Sequence, residues 1–234
     1  MMMTLAFAVL ALVPAPRKMS VTDGAFTTNL TVAYFRDAQI PAEGYRLRVT
    51  AGGVSVASSD EAGRFYAEMT LRQLNEKGCC PLVEIEDAPQ FKWRGVHIDE
   101  CRHFFGKETV KRTLDLMAQH KLNVLHWHLT EDQGWRLDIP GHPELVKFGS
   151  VRLQSVRRGC FAWTGDKEDA DKLNGEKYGP FYYTEADVKE IVAYAAERHI
   201  KIIPEIELPG HSQALLAAYP DLACKPENIA SRAP

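Results

Sequence analysis

Three apolar runs in this chain each break off into a cluster of His, Asp, Glu and Arg: R-G-V-H-I-D-E-C-R-H-F-F from Arg94, H-W-H-L-T-E-D-Q-G-W-R from His126, and P-E-I-E-L-P-G-H from Pro204. The runs read as strands over Gly95 to Ile98, Leu122 to Leu129 and Ile200 to Ile206. Helical stripes lie between them. Val110, Leu114 and Met117 form one, and Val188, Ile191, Val192 and Ala195 form another behind a capping box of Thr184 and Asp187. A third helix starts over Ser212 to Ala218. Strands alternating with helices in this way give an α/β fold, a parallel sheet with helices packed outside it. The polar clusters then fall where the strands end, which is where such folds keep their chemistry.

The character of the chain changes near Pro89. Before it, Tyr45 to Thr50 alternates, Gly52-Gly53 makes a turn and Val54 to Ser58 alternates again, the pattern of a β-hairpin. Ala62, Phe65, Tyr66 and Met69 mark one face of a helix, and Leu82 to Glu86 a further strand. This is a small α+β layer, shortened between Phe26 and Tyr45, so an incomplete sheet is expected there.

Composition narrows the function classes. Hydrophobic residues make up 45% of the 234 and charged ones 25%, so a substantial core is expected and disorder is not. A net charge of -3 supplies no basic field for nucleic acid. The apolar opening Met1 to Val13 reads equally as a degraded or clipped export signal or as a plain N-terminal strand, since no Lys or Arg precedes Arg17. The first reading places the protein in the periplasm or outside the cell. The segment is too short to span a bilayer. Cys79, Cys80, Cys101, Cys160 and Cys224 have no metal-ligand spacing, and free thiols are expected.

A long excursion runs from Gln133 to Tyr183. Segments beyond about 12 to 15 residues in a compact domain are usually functional or disordered. Trp135, Phe161, Trp163, Tyr178, Phe181, Tyr182 and Tyr183 argue against disorder, because such rings need something to pack on or to bind. Either they seal the loop against the domain or they face sugar rings.

In order and spacing, the three blocks resemble glycoside hydrolase family 20, the β-N-acetylhexosaminidases. The resemblance implies a (β/α)8 TIM barrel, of which residues 91–234 supply the first three strand-helix units. Residues 14–90 then form the small domain that precedes the barrel, with V-P-A-P-R-K and E-G-Y-R-L-R-V as the matching pieces, which leaves residues 1–13 outside it as the export-signal remnant or plain strand read above. It also implies release of terminal non-reducing β-linked N-acetylhexosamine, GlcNAc or GalNAc, by retaining, substrate-assisted hydrolysis. In that scheme the acetamido carbonyl attacks the anomeric carbon, an aspartate steadies the intermediate and an adjacent glutamate protonates the leaving oxygen, a departure from the usual two-carboxylate route. A carbohydrate partner is implied, and no cofactor.

Residue by residue, Arg102 of D-x-x-R-H-F resembles the family's two-pronged clamp on the hydroxyls of the terminal sugar. A plain salt bridge to Asp99 is the rival reading, compatible with the first. Glu131 and Asp132 stand where the family usually has two aspartates, and Glu131 holds the place of the one that orients a histidine. His211 matches that histidine, which supports the acid/base glutamate. A helix cap is its bland alternative. Glu205 and Glu207 flank Ile206 on one strand face and are expected in the polar network beside Asp99 and Asp132 as substrate-binding groups. His126 and His128 share a side of their strand, so a divalent metal held with Glu131 and Asp132 is a rival reading. The family uses no metal there.

The family's catalytic Asp-Glu pair follows an H-x-G-G-type strand, and no such motif follows His211. Asp60-Glu61 and Asp99-Glu100 are decoys: the first opens a helix of the small domain and the second belongs to D-x-x-R-H-F. A full barrel takes roughly 250 residues, against about 140 after Phe91. The chain is therefore expected to be an N-terminal portion, inactive alone, with an open strand edge that favours self-association. A non-catalytic sugar-binding or scaffold fragment is the alternative from a different class, and a metal-dependent barrel hydrolase the third reading.

Overall fold

The computed structural model describes residues 11–26, 31–75, 78–155 and 174–226. Two compact units divide them: Met1–Gly95 with Leu114–Val124 and Glu197–Ile200, and Val96–Thr113 with Leu125–Ala196 and Lys201–Pro234.

The first unit is built on a five-stranded sheet of β1 (Lys18–Phe26), β2 (Val32–Arg36), β3 (Tyr45–Thr50), β4 (Gly53–Ser58) and β5 (Cys80–Asp87), in the order β1-β5-β3-β4-β2. The expected hairpin is β3–β4, with Thr50 paired to Gly53. Its strict alternation sends Tyr45, Leu47, Val49, Val54 and Val56 inward. They pack on Tyr66, Ala67, Leu71 and Leu74 of helix α1 (Glu61–Leu74). Burial of each such side chain is worth about 1.5–3 kcal/mol, so this layer carries its own core. Asp60 caps α1, its carboxylate accepting from Gly63 N at 2.7 Å.

A fifth strand lies where an incomplete sheet was expected. β2 lies in the Phe26 to Tyr45 interval and pairs parallel with β4. V-A-Y-F-R does not alternate and is largely exposed, so nothing in its pattern marks a strand. Tyr34 anchors it instead: its hydroxyl donates to Glu68 at 2.9 Å and Arg64 lies over its ring. β1, likewise an exposed edge, pairs antiparallel with β5 and shifts register between Thr22 and Ala25. Of the apolar opening, residues 1–10 lie outside the described residues, and residues 11–13 form no strand.

A second sheet has the order β10-β7-β6, from β6 (Gly95–Asp99), β7 (Val124–His128) and β10 (Lys201–Glu205). Helix α2 (Lys107–Gln119) lies between β6 and β7 in sequence, and α4 (Glu185–Ala196) precedes β10. Val110, Leu114 and Met117 are fully buried, as their spacing predicts. On α4, Ile191 and Ala195 are buried but Val192 is 48% exposed, so its apolar face is narrower than the sequence suggests. The fold is mixed α/β, and no closed barrel forms among the described residues.

The described parts of the excursion after Gln133 are more ordered than a loop. A ribbon of β8 (Thr130–Glu131) and β9 (Gly134–Trp135), helix α3 (Pro143–Gly149) and bridges from Leu137 to Tyr183 and Arg152 to Tyr178 tie them down. Trp135 and Leu145 pack on Ala214 and Ala218 of helix α5 (Gln213–Ala218). Phe104, Tyr178, Phe181 and Tyr183 pack on one another, with ring centres 4.7–5.6 Å apart, which favours the sealing role for these rings. Phe161, Trp163 and Cys160 lie outside the described residues, and the other four cysteines are free thiols.

Candidate active site

Asp99 is the last residue of β6, and its carboxylate turns the chain back on itself. Oδ1 accepts from the backbone N–H of Cys101 at 2.9 Å and of Arg102 at 3.2 Å, and Oδ2 accepts from Arg102 Nη1 at 2.8 Å. Burial pushes this carboxyl up, but the bonds from Arg102 and Cys101 outweigh it and hold the group below the usual range. The guanidinium is gripped on two further sides. Its Nε donates to Gln133 Oε1 at 2.9 Å and its Nη2 to Glu131 Oε1. A guanidinium has five N–H groups, so three are spent here and one remains on each terminal nitrogen. That pair is the geometry a vicinal diol or a carboxylate would accept.

Glu131, 2% exposed, is the centre of the group. The same Oε1 that takes Arg102 lies 2.6 Å from His211 Nδ1, while Oε2 accepts from Asp132 N. Asp132 Oδ1 accepts from Gln213 N at 3.0 Å, pinning the start of α5, and its Oδ2 lies 4.0 Å from His211 Nδ1. His211 adopts φ 51°, a left-handed conformation unusual for a side-chain-bearing residue. The sequence-predicted Asp99, Arg102, Glu131, Asp132 and His211 are thus one connected constellation on three chain segments. Asp99–Arg102 is indeed a salt bridge, as the rival reading had it, and it leaves the two free N–H groups in place.

Glu205 and Glu207 form a neighbouring group. Glu207 N donates to Thr130 Oγ1 at 2.8 Å. A hydrogen bond between the two carboxyls pushes Glu207 up. Burial acts upward on Glu205 as well, yet that bond and the imidazoles of His128, His126 and His97 bring it down, so the two carboxyls titrate as a pair. His126 and His128 do share a side, but they face Glu205, with Nε2 atoms 2.6 and 3.9 Å from its carboxylate. The metal set drawn from them with Glu131 and Asp132 does not form, because those two carboxylates are turned to Arg102, His211 and Gln213.

Residues 91–233 match the family model for the catalytic domain of glycosyl hydrolase family 20, and residues 28–88 the model for domain 2 of the same family. The chain belongs to glycoside hydrolase family 20. Among its relatives is a beta-hexosaminidase of Porphyromonas gingivalis, 43% identical over 201 residues that make up 81% of this chain and 23% of that protein. A crystal structure of a beta-N-acetylhexosaminidase superposes with a TM-score of 0.81 at 36% identity, covering 94% of this chain and 44% of that one. A family 20 exo beta-N-acetylglucosaminidase from Vibrio harveyi, solved in complex with N-acetylglucosamine, gives a TM-score of 0.77 at 28% identity over 90% of this chain and 38% of that one. The chain therefore spans less than half the length of each.

Some functional residues of this family 20 chain were not legible in its sequence. Arg136, fully buried, donates to the carbonyls of Cys101 at 2.7 Å, Ser150 at 2.9 Å, Phe181 at 3.0 Å, Glu100 at 3.1 Å and Gln133 at 3.4 Å. Arg152 adds the carbonyl of Arg102 at 2.9 Å. Two cations thus hold the D-x-x-R turn and the Gln133 turn in register. The arginine of Q-G-W-R was the available signal, but which carbonyls it meets depends on segments far away in sequence. Gln133, the third anchor of Arg102, was missed for the same reason. Of the two pairs set aside as non-catalytic, Asp60 caps α1, and Glu100 is buried with Oε2 accepting from Phe105 N at 2.8 Å.

Proposed function

We propose that this chain supplies the first three strand-helix units of a family 20 (β/α)8 barrel and the preceding small domain of an exo-acting β-N-acetylhexosaminidase. In this reading the enzyme releases terminal non-reducing β-linked N-acetylhexosamine from glycans, with retention, through the substrate's own acetamido group. The observation that carries it is the Arg102–Glu131–His211 arrangement. One buried carboxylate holds both a half-free guanidinium, suited to two adjacent sugar hydroxyls, and an imidazole, suited to steadying a neighbouring acid/base group. Asp99 and Gln133 fix the guanidinium, and Asp132, Glu205 and Glu207 complete the polar floor. The acid glutamate and its aspartate partner are assigned to an H-x-G-G-type strand beyond these residues.

The test is hydrolysis of an aryl β-N-acetylglucosaminide against the corresponding aryl β-glucoside, in a protein joining residues 1–234 to the remaining strands of a family 20 catalytic half. The N-acetyl substrate alone should turn over, because only it carries the internal nucleophile. Equal rates on both would overturn the reading. Residues 1–234 by themselves should show no turnover above buffer, since removal of a general acid typically forfeits about 10² to 10⁴ in rate. Turnover that tracks with this polypeptide and dies on Asp99→Asn or Glu100→Gln would mean that a dismissed pair does the chemistry.

A further inference from the structure

Asp99 and Glu100 are neighbours in the chain with opposite surroundings: Asp99 meets Arg102 at the site, and Glu100 is fully buried. Between them the two carboxyls hold both ends of the turn that carries Arg102. Asp99 Oδ1 takes the N–H groups of Cys101 and Arg102 at its start, and Glu100 Oε2 takes that of Phe105 at its end, at 2.8 Å. Phe104 N donates to the Tyr178 hydroxyl at 2.7 Å. Such a turn has no backbone ladder of its own, so its N–H groups depend on side-chain acceptors. Next along, Gly106 adopts φ 81° and its carbonyl accepts from Thr109 N and Val110 N, which starts α2. Glu100 thereby fixes the path of the chain between Arg102 and that helix.

The space around Glu100 is polar and closed. Among the described residues, its Oε1, the Tyr183 hydroxyl and the Trp127 indole N–H are buried without a well-formed hydrogen bond, and the Tyr183 and Trp127 rings pack with centres 4.8 Å apart. Burial pushes both Glu100 and Tyr183 up, toward neutral forms. Glu100, Trp127 and Tyr183 are at most 1% exposed, so this space is already shut and its groups do not await a further strand. Burying a carboxyl is costly, and an apolar side chain of that size would fill the space without the cost. What the apolar side chain lacks is the acceptor for Phe105.

We propose that Glu100 is a positioning residue for Arg102: its carboxyl oxygen fixes the far end of the 99–106 turn and, through the turn, the place of the guanidinium. Glu100 itself meets no substrate. The effect on sugar binding rests on the glycosidase reading, whereas the effect on the turn rests on its geometry alone. Release of Phe105 lets the turn lengthen and carries the two free N–H groups of Arg102 with it. Glu131 and His211 sit on other segments and stay, so binding of the sugar suffers and the proton-handling group does not.

The experiment compares Glu100→Leu, which keeps the volume and removes the acceptor, with Glu100→Gln, which keeps an oxygen for Phe105 and turns an amide N–H toward Tyr183. In the protein joining residues 1–234 to the remaining strands, Glu100→Leu should raise KM for the aryl β-N-acetylglucosaminide about 10-fold with kcat nearly unchanged, since a misplacement of about 1 Å can cost up to about 100-fold. Glu100→Gln should stay within about 3-fold of the parent. Combined with Arg102→Lys, Glu100→Leu should add no more than about 2-fold, because the fork it positions is already gone. In residues 1–234 alone, amide hydrogen exchange over 100–106 should be at least about 10-fold faster in Glu100→Leu than in the parent or Glu100→Gln, and unchanged over β3 and β5. Glu100→Ala takes the place of Glu100→Leu if the latter does not fold. A parent-like KM in Glu100→Leu, full additivity with Arg102→Lys, a KM shift as large in Glu100→Gln, or parent-like exchange in Glu100→Leu would each overturn the proposal, as would both apolar variants failing to fold while Glu100→Gln folds. Equal turnover of the N-acetylglucosaminide and the glucoside would instead sink the glycosidase reading, and the exchange rates then decide the role of Glu100.

Discussion

Glu131 Oε1 lies 2.6 Å from His211 Nδ1 and at the same time accepts the Nη2 hydrogen bond of Arg102. One oxygen therefore serves both an imidazole and a guanidinium. The sequence suggests a simple carboxylate–histidine relay, in which Glu131→Gln would lower kcat more than it raises KM. The shared oxygen alters that expectation. An amide oxygen accepts more weakly than a carboxylate, so both partners lose at once.

In a protein carrying the complete catalytic half, Glu131→Gln is expected to lower kcat by about 10² and to raise KM as well. Arg102→Lys, which keeps the charge but not the fork, should raise KM chiefly. Steady-state kinetics on both variants decides the matter. A change in KM alone for Glu131→Gln would remove His211 from the chemistry.

Arg136 is the strongest structural determinant of the site's shape. Arg136→Lys retains a cation yet cannot reach five carbonyls, leaving several buried acceptors unpaired at about 1–3 kcal/mol each. A loss of roughly 3 kcal/mol or more is expected in urea unfolding. Gly134→Ala should act through the same group, because a Cβ there would sit 2.2 Å from Arg136 Nη2. Wild-type stability in both variants would show that the guanidinium is replaceable.

Acid should loosen the start of α4 over a defined range. The hydrogen bond from Lys107, at 2.7 Å, and those from Thr184 pull Asp187 down from 3.8 to about 2. A carboxyl depressed in the folded state contributes stability above its unfolded value and loses it as pH falls through the folded one, so the window runs from about pH 4 down to pH 2. The stability gap between wild type and Asp187→Asn should be constant from pH 7 to 5 and close toward pH 2, read from denaturant midpoints. Asp187 is largely solvated, which keeps the gap small. A gap that persists at pH 2 would show that the charge is not its source.

Residues 1–234 expressed alone are expected to self-associate. β6 and β10 are the outer strands of their three-stranded sheet, and unpaired edge strands offer backbone groups to other copies. Size-exclusion chromatography should return oligomers. A monomer with a sharp, cooperative melt would refute this.

Local pattern in the sequence determined a good part of this protein. Strict alternation over Tyr45 to Ser58 and the helical stripe of Val110, Leu114 and Met117 report burial on one face, which depends on near neighbours alone. Hence the hairpin, α1, α2 and the three central strands were legible, as were the Thr184–Asp187 box and the polar residues that gather at the strand ends. Tertiary structure alone decided the rest. Edge strands β1 and β2 bury little and so carry no alternation; pairing with β5 and β4 defines them. Arg136 reaches carbonyls up to 45 residues away, and Glu131 meets Arg102 from 29 residues away. His97 joins His126 and Glu205 only because β6, β7 and β10 lie side by side. Contacts of that range are fixed by how the strands order themselves, and no window of sequence contains both partners.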